Sequence, residues 1–472
     1  MNNHLLRIYH RLPARARSAV ATLRGWYLKR WRYGAESEQL IEEALARDAW
    51  TTGQWAKWRD ERIAYVLHRA ATRVPYYREY WEERRRRGDR ASWELLENWP
   101  ILEKDEVRAN PRAFVADDCD PRNMFHEQTS GTTGKPIDIW RTKTTVSTLH
   151  AIADARTGRW DGIAPTVRWA RLGGQLVTPV RQRRPPFWVW NAAMRQLYLS
   201  SFHLAPDLIP HYLDALKRYK IVYLASYPSS AHALAQEVLR LGRTDLAMAA
   251  VYTNAEPVLP EQRTAIAAAF QCPVRETYGM AESVAAASEC SAGRLHQWPE
   301  FGHIELLNHG ELVCTGLLNP DMPLIRYRVG DRAQAPAVNG SAPCPCGRGL
   351  PLMGRVEGRM NDLLFTADGR PVFWLNPVFY GLPLRQSQII QEHFDVLRVR
   401  VTPAPGFSAA TERTIVRRLQ DRMGDVRVIV DRVSEVPRTS NGKLRAIVCE
   451  IPPEERAAAL SGRVAAGGRG RA

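Results

Sequence analysis

The run APDLIPHYLDALKRYK at 205–220, followed by IVYLAS at 221–226, sets a helical period against a strand-like apolar run, and the alternation continues to residue 278. SSAHALAQEVLRL (229–241) is helical, LAMAAVYT (246–253) apolar, PEQRTAIAAAF (260–270) helical and CPVRETY (272–278) extended. Strands separated by helices of this length pair in parallel through crossovers, so the fold class is α/β with a large multi-layer N-terminal domain.

Upstream, residues 1–100 read as mainly helical. TTGQWAKWRDERIAYVLHRAATRV carries apolar residues at helical spacing until Pro75 stops it. Downstream, 303–331 reads as short antiparallel strands with an Asn-His-Gly turn at 308–310. After Gly358, LRVRVTPAP, the helical TERTIVRRLQDRM and VRVIVDRV describe a compact α+β unit. The expected division is a large domain at 1–358, a smaller mobile C-terminal domain at 359–455 and a disordered tail at 456–472, which lacks apolar periodicity.

A chain of 472 residues is too long for one ordinary core, and its 45% hydrophobic and 25% charged content is that of a soluble globular protein. No apolar run could span a bilayer and no secretory leader is evident, so a cytoplasmic location is expected. The net charge of +16 suits anionic partners, though an arginine-rich proteome is the plainer explanation. Charge alone names no specific nucleic acid. Residues 1–33 mix aromatics with Arg and Lys as an interfacial helix would, which keeps peripheral contact with the inner membrane surface open.

The chemistry concentrates in EQTSGTTGKP, Glu127 to Pro136. Gly131 and Gly134 let backbone N–H groups approach an anion, the hydroxyls of Thr129, Ser130, Thr132 and Thr133 donate to it, and Lys135 adds charge. The spacing is not that of the common phosphate loop, and Pro136 places the run between extended segments rather than at a strand-to-helix turn. A polar surface loop would share this composition.

TSGTTGKP at 129–136 resembles the hallmark loop of the adenylate-forming superfamily, the acyl-CoA synthetases and their relatives. Further signatures follow in order: Tyr278-Gly279-Met280-Ala281-Glu282, RYRVGD at 326–331, Gly358-Arg359 at the hinge and Asn441-Gly442-Lys443. The N-terminal VLHRAATRVPYYREYW and the IRYRVGD segment are most similar to the phenylacetate-CoA ligase branch, and within it to the CapK-type proteins of capsular polysaccharide biosynthesis. The resemblance implies ATP and Mg²⁺ as cofactors, a small-molecule carboxylic acid as substrate, and CoA or another acyl acceptor. By the same resemblance Thr129 to Lys135 hold the β/γ-phosphates, Glu282 helps ligate Mg²⁺, Tyr278 beside Gly279 stacks on adenine, and Asp331 accepts from both ribose hydroxyls. Glu256 lines the adenine pocket, Arg359 lies at the hinge, and Lys443 bridges carboxylate and α-phosphate. A carboxylate is a hard ligand for Mg²⁺ and an Asp a bidentate acceptor for a diol, so each type suits its role.

Cys290 and His296, with five residues between them, and Cys344 and Cys346 in APCPCGRG form a Cys₃His set suited to structural Zn²⁺. Unpaired reduced cysteines are the alternative. The match to the superfamily frays at Ala281, where relatives carry Thr, and at Asn361, where many carry Asp. The stretch after the hinge that normally helps receive CoA reads DLLFTADGRPVFW. Two functions follow: a carboxylate-activating, AMP-forming ligase, or a catalytically degenerate nucleotide-binding partner in a polysaccharide-assembly system. PPFWVW at 185–190 and Tyr227 are candidates for an acyl pocket or for core packing.

Overall fold

The computed structural model describes residues 3–33, 35–129, 136–179, 181–205, 207–256, 258, 260–307, 310–336, 344–356, 364–366, 368–372, 375–379, 381–434, 436 and 447–460. Five helices open the chain: α1 (Asn3–Arg11), α2 (Ala14–Arg32), α3 (Ala35–Arg47), α4 (Thr52–Arg73) and α5 (Pro75–Arg86). Thr51 caps α4 reciprocally with Gln54. Pro75 ends that helix and opens the next, where its missing N–H costs nothing. The short α6 (Lys104–Ala109) precedes a hairpin of β1 (Phe125–Gln128) and β2 (Asp138–Arg141), and α7 (Lys143–Ala155) follows it.

The centre is a nine-stranded mixed sheet. Its strands are β3 (Trp169–Gly173), β4 (Val189–Asn191), β5 (Gln196–Ser200), β6 (Tyr223–Ser226), β7 (Ala250–Thr253), β8 (Val274–Gly279), β9 (Ala286–Glu289), β10 (Leu295–Gln297) and β14 (Leu352–Met353). They run in the order β14-β10-β9-β8-β7-β6-β3-β5-β4, with β5, β3, β6, β7 and β8 parallel as the alternation at 205–278 predicts. Helices α8 (Ile209–Arg218), α9 (Pro228–Arg240) and α10 (Pro260–Phe270) cover one face, where Leu172, Leu199, Leu224 and Val251 pack with Leu213, Leu234 and Ile266. Strands β11 (Gly302–Leu306), β12 (Glu311–Gly316) and β13 (Tyr327–Arg332) form the expected antiparallel sheet.

Beyond them lie the pair β15 (Leu364–Phe365) and β16 (Pro371–Val372), and a four-stranded sheet of β17 (Leu384–His393), β18 (Val396–Pro403), β19 (Arg427–Arg432) and β20 (Ile447–Cys449). Helix α11 (Ala409–Met423) packs on that sheet through Ile415, Leu419 and Met423. Several boundaries differ from the sequence reading. The helix expected from 205 starts at Ile209, because Pro210 sits in its first turn. The apolar run at 246–253 supplies strand only from Ala250, and β3, β5 and β17 lie in stretches left unassigned. Helix α12 (Pro453–Leu460) runs past residue 456, where the tail was expected to begin, since its Ala-rich sequence favours a helix. Phe187 of PPFWVW is fully buried against His203 and Tyr212, so it is core rather than pocket lining.

One buried ion network ties the helical start to the central sheet. The fully buried Arg156 bonds Asp48 at 3.1 Å and Glu300 at 2.6 and 2.8 Å, Trp160 Nε1 donates to Asp48 at 2.6 Å, and Arg47 reaches Glu300 at 3.2 Å. Removing one partner strands buried charge. We expect Arg156→Met to lower urea-unfolding stability by about 3–5 kcal/mol, and a loss below 1 kcal/mol would show that the network is dispensable.

Candidate functional site

The extended segments expected on either side of the predicted phosphate loop pair as a hairpin neck. Phe125 to Gln128 pair antiparallel with Arg141 to Asp138; beyond them Thr129 N donates to Ile137 O at 2.9 Å and Ile137 N to Thr129 Oγ1 at 3.0 Å. Thr129 is buried at that neck. Ser130, Gly131, Thr132, Thr133, Gly134 and Lys135 lie outside the described residues, as do Arg359, Asn361 and Lys443.

Arg141, the last residue of β2, is buried and joins this hairpin to the second signature. Its Nη1 donates to Glu127 Oε2 at 2.9 Å, and its Nη2 to the carbonyl of Ala281 and to Ser283 Oγ, the latter at 3.1 Å. Burial lowers the affinity of this guanidinium for its proton, and the Glu127 carboxylate opposes that shift. The loop carrying Ala281 and Glu282 leaves β8 and enters β9 with Ser283 at φ 57°. Directly beneath, Gly302 has no alternative: a Cβ there would lie 1.8 Å from the Val284 carbonyl and 2.7 Å from that of Thr315.

The third signature meets the second. Tyr278 Oη donates to Asp331 Oδ2 at 3.0 Å, and Tyr327 Oη donates to Glu282 Oε1 at 3.0 Å. Lys104 Nζ stands 3.4 Å from the same Glu282 carboxylate, held there because Leu102 exchanges backbone hydrogen bonds with Arg326 and Arg328. Glu282 is thus a buried hard oxygen donor, the type a magnesium ion takes. Gly279 ends β8, and Glu256 is half-buried after β7; burial raises the Tyr227 pKa, and the Glu256 charge adds to that shift.

On the sheet face opposite α8–α10, Arg171 of strand β3 sits in register with Tyr198 and Ala225. It is exposed and has no ion-pair partner among the described residues. Tyr227 closes one side, its ring 3.9 Å from where a Cβ on Gly173 would stand. His150 of α7 closes another, with the Tyr33 ring 6.0 Å away. Burial first, then the charges of Arg32, Arg141 and Arg171, push the His150 pKa down to about 3. Sequence reasoning passed over Arg141, Arg171, His150 and Lys104, because no motif holds them. The available signal was an arginine inside the apolar strand WARLG.

The Cys₃His set is assembled. One ligand atom from each of Cys290, His296, Cys344 and Cys346 lies within 4.8 Å of every other. The Cys290 and Cys344 sulfurs are 3.7 Å apart and Cys346 Sγ is 3.3 Å from His296 Nε2. His296 Nδ1 meets the Leu350 carbonyl at 3.1 Å, which leaves Nε2 as the ligand. Sulfurs around a tetrahedral zinc stand about 3.8 Å apart, so the cluster fits one ion.

Residues 367–450 match a family model described as the CapK C-terminal domain. Protein CapK of Staphylococcus aureus is 24% identical over 393 residues, 80% of this chain and 85% of that protein. The phenylacetate-coenzyme A ligase of Thermus thermophilus is 23% identical over 437 residues, 82% of this chain and 95% of that one. The solved structure of a 2-hydroxyisobutyryl-CoA ligase in complex with 2-HIB-AMP and CoA, in its thioesterification state, covers 85% of this chain and 91% of its own, with a TM-score of 0.55 at 21% identity. The same ligase in its postadenylation state gives 0.52 at 20% identity, covering 87% and 92%.

The fold is therefore that of the adenylate-forming enzymes. In sequence the chain is similar to CapK and to the phenylacetate-CoA ligases, and the family-model match lies in its C-terminal part. Among the described residues no helix is long and apolar enough to cross a membrane.

His150 gives the site a pH signature. Its folded pKa lies below the unfolded value, so its contribution to stability is intact above about pH 6.5 and is lost as pH falls toward 3. Between pH 6 and 4 we expect His150→Gln to flatten the fall in unfolding free energy by up to about 1.4 kcal/mol per pH unit, read from urea midpoints; an unchanged slope would mean that His150 titrates normally.

Proposed function

We propose that this chain is an ATP-dependent ligase that activates a carboxylic acid as its acyl adenylate, releases pyrophosphate and passes the acyl group to an acceptor. The observation that carries this reading is the junction at Arg141, which ties the phosphate-loop hairpin to the loop of Glu282 while Tyr278 touches Asp331. Adenylation needs anions brought together and a leaving group held, so positioning and electrostatic stabilisation are the available means.

In this reading Thr129 to Lys135 hold the terminal phosphates, Tyr278 and Gly279 the adenine with Glu256 beside it, and Asp331 the ribose. Glu282 would hold Mg²⁺, which neutralises charge on the phosphates. Lys443 would come from a mobile unit at 359–455 and withdraw by rotation near Arg359, a motion that clears the acceptor's path. The acid would lie on the face of Arg171, Tyr198 and His150. A guanidinium with no ion-pair partner there among the described residues favours an acid with a second anionic or strongly hydrogen-bonding group over a plain aryl or fatty acid.

CoA is the weaker choice of acceptor. Arg370, in the segment where relatives receive it, is buried and committed to Asp368 at 3.0 Å and to the carbonyl of Phe202. An acceptor in polysaccharide assembly is the other option. Zinc on Cys290, His296, Cys344 and Cys346 would be structural, because four protein ligands leave no open position. It would anchor the loop whose Arg348 lies 4.2 Å from the Trp160 ring centroid and 3.7 Å from Asp48.

Carboxylate-dependent ATP–pyrophosphate exchange tests the reading across aryl, fatty, hydroxy and dicarboxylic acids. Exchange should occur with at least one acid and fall at least about 100-fold in Lys443→Ala. No exchange with any acid, despite ATP binding, would favour the degenerate partner. With the best acid, Arg171→Leu should raise its KM about tenfold or more while leaving the KM for ATP in place; equal effects on both would remove Arg171 from the acid site. The purified protein should carry about one zinc per chain, and Cys344→Ser with Cys346→Ser should release it and lower the thermal midpoint. A metal-free protein of unchanged stability would refute the zinc site.

A further inference from the structure

Helix α2 has two different faces. One is built into the fold at the edge strand β4: Trp190 N donates to Ser18 Oγ at 3.2 Å and Ala192 N to Thr22 Oγ1 at 3.1 Å. The buried Arg17 donates to Gln182 at 2.9 Å, and Gly25 lies so close to Asn191 that a Cβ there would stand 2.2 Å from its Oδ1. In α1, His10 meets the Leu176 carbonyl at 2.8 Å. The helix is therefore fixed in orientation.

Its other face is apolar and open. Val20, Leu23, Trp26 and Tyr27 recur at helical spacing on the outside, with Leu23 70%, Trp26 62% and Tyr27 66% exposed, and Leu5 and Ile8 of α1 are exposed as well. Isolated exposed apolar side chains mean little, but a ridge of this kind on an anchored helix marks a contact surface. Around it stand the exposed Arg7, Arg11, Arg15, Arg24, Lys29 and Arg30, and residues 1–33 contain no Asp or Glu.

We propose that the α1–α2 face docks on the surface of an anionic lipid bilayer, with Leu23, Trp26 and Tyr27 in the interface and the flanking Arg and Lys at the headgroups. An apolar, aromatic ridge rimmed by cations matches an acyl boundary beneath a layer of phosphates. A second copy of the same face fits poorly, since a two-fold pairing would bring two wholly cationic rims together. Lying on the surface is the available mode, because no described helix can span. The far end of α2 delivers Arg32 and Tyr33 to the His150 cleft, so docking would set the candidate acid site close to the lipid.

Sedimentation of the full-length protein with vesicles tests this without reference to activity. Binding should occur with phosphatidylcholine mixed with phosphatidylglycerol, be weaker at least about tenfold with phosphatidylcholine alone, and fall with added salt. The double variants L23E/W26E and K29Q/R30Q change exposed side chains of α2 and should keep the wild-type thermal midpoint while losing vesicle binding. Failure of the wild type to sediment with either vesicle would overturn the proposal, as would unaltered binding by L23E/W26E. A wild-type dimer that L23E/W26E converts to monomer would assign the face to a second copy.

Discussion

A single buried guanidinium sets the geometry on which the rest of the candidate site depends. Arg141 holds Glu127 on one strand of the phosphate-loop hairpin and the Ala281 carbonyl and Ser283 hydroxyl beside Glu282. Two sequence segments about 140 positions apart are fixed to each other by one fork of donors, which lysine could not reproduce. The fork is buried and partly unsatisfied at Nε, so it is stable only while both partners keep their places. The β1–β2 hairpin and the Glu282 loop are therefore fixed to each other.

The scaffold holds that piece through a second buried arginine. Arg156 joins Asp48 at the end of the helical region to Glu300, two residues before the Gly302 that passes beneath the Glu282 loop. The same Asp48 receives Arg348 and, through its carbonyl, the backbone N–H of Gly349, so the Cys344–Cys346 loop is seated on the same network. Helix ends, Glu282 loop and cysteine cluster thus share a framework in which a change at one point reaches the others.

How far this could be read from the chain depended on whether the information was local. The parallel sheet was legible because helix and strand periods alternate over 205–278, and the extended segments beside the phosphate loop because its spacing and Pro136 differ from the strand-to-helix phosphate loop. The cysteine cluster was legible as a ligand set even though its two pairs lie about 50 positions apart. Strands β3 and β5 were not, since WARLG and QLYLS are short and carry a charged or polar residue among apolar ones. Arg141, Lys104, Arg171 and His150 act through partners distant in sequence, and no local pattern announces them. Lys443 and most of the phosphate loop were legible by resemblance alone.

The account stands on attack by a substrate carboxylate at the α-phosphorus of ATP. The most direct measurement gives the enzyme an acid labelled with oxygen-18 in its carboxylate and hydroxylamine as a surrogate acceptor, then weighs the AMP formed. If the carboxylate attacks phosphorus and the nitrogen later attacks the carbonyl, one carboxylate oxygen leaves with AMP, and the mass of AMP rises by one label. Unlabelled AMP, or ADP as the nucleotide product, would contradict the assignment.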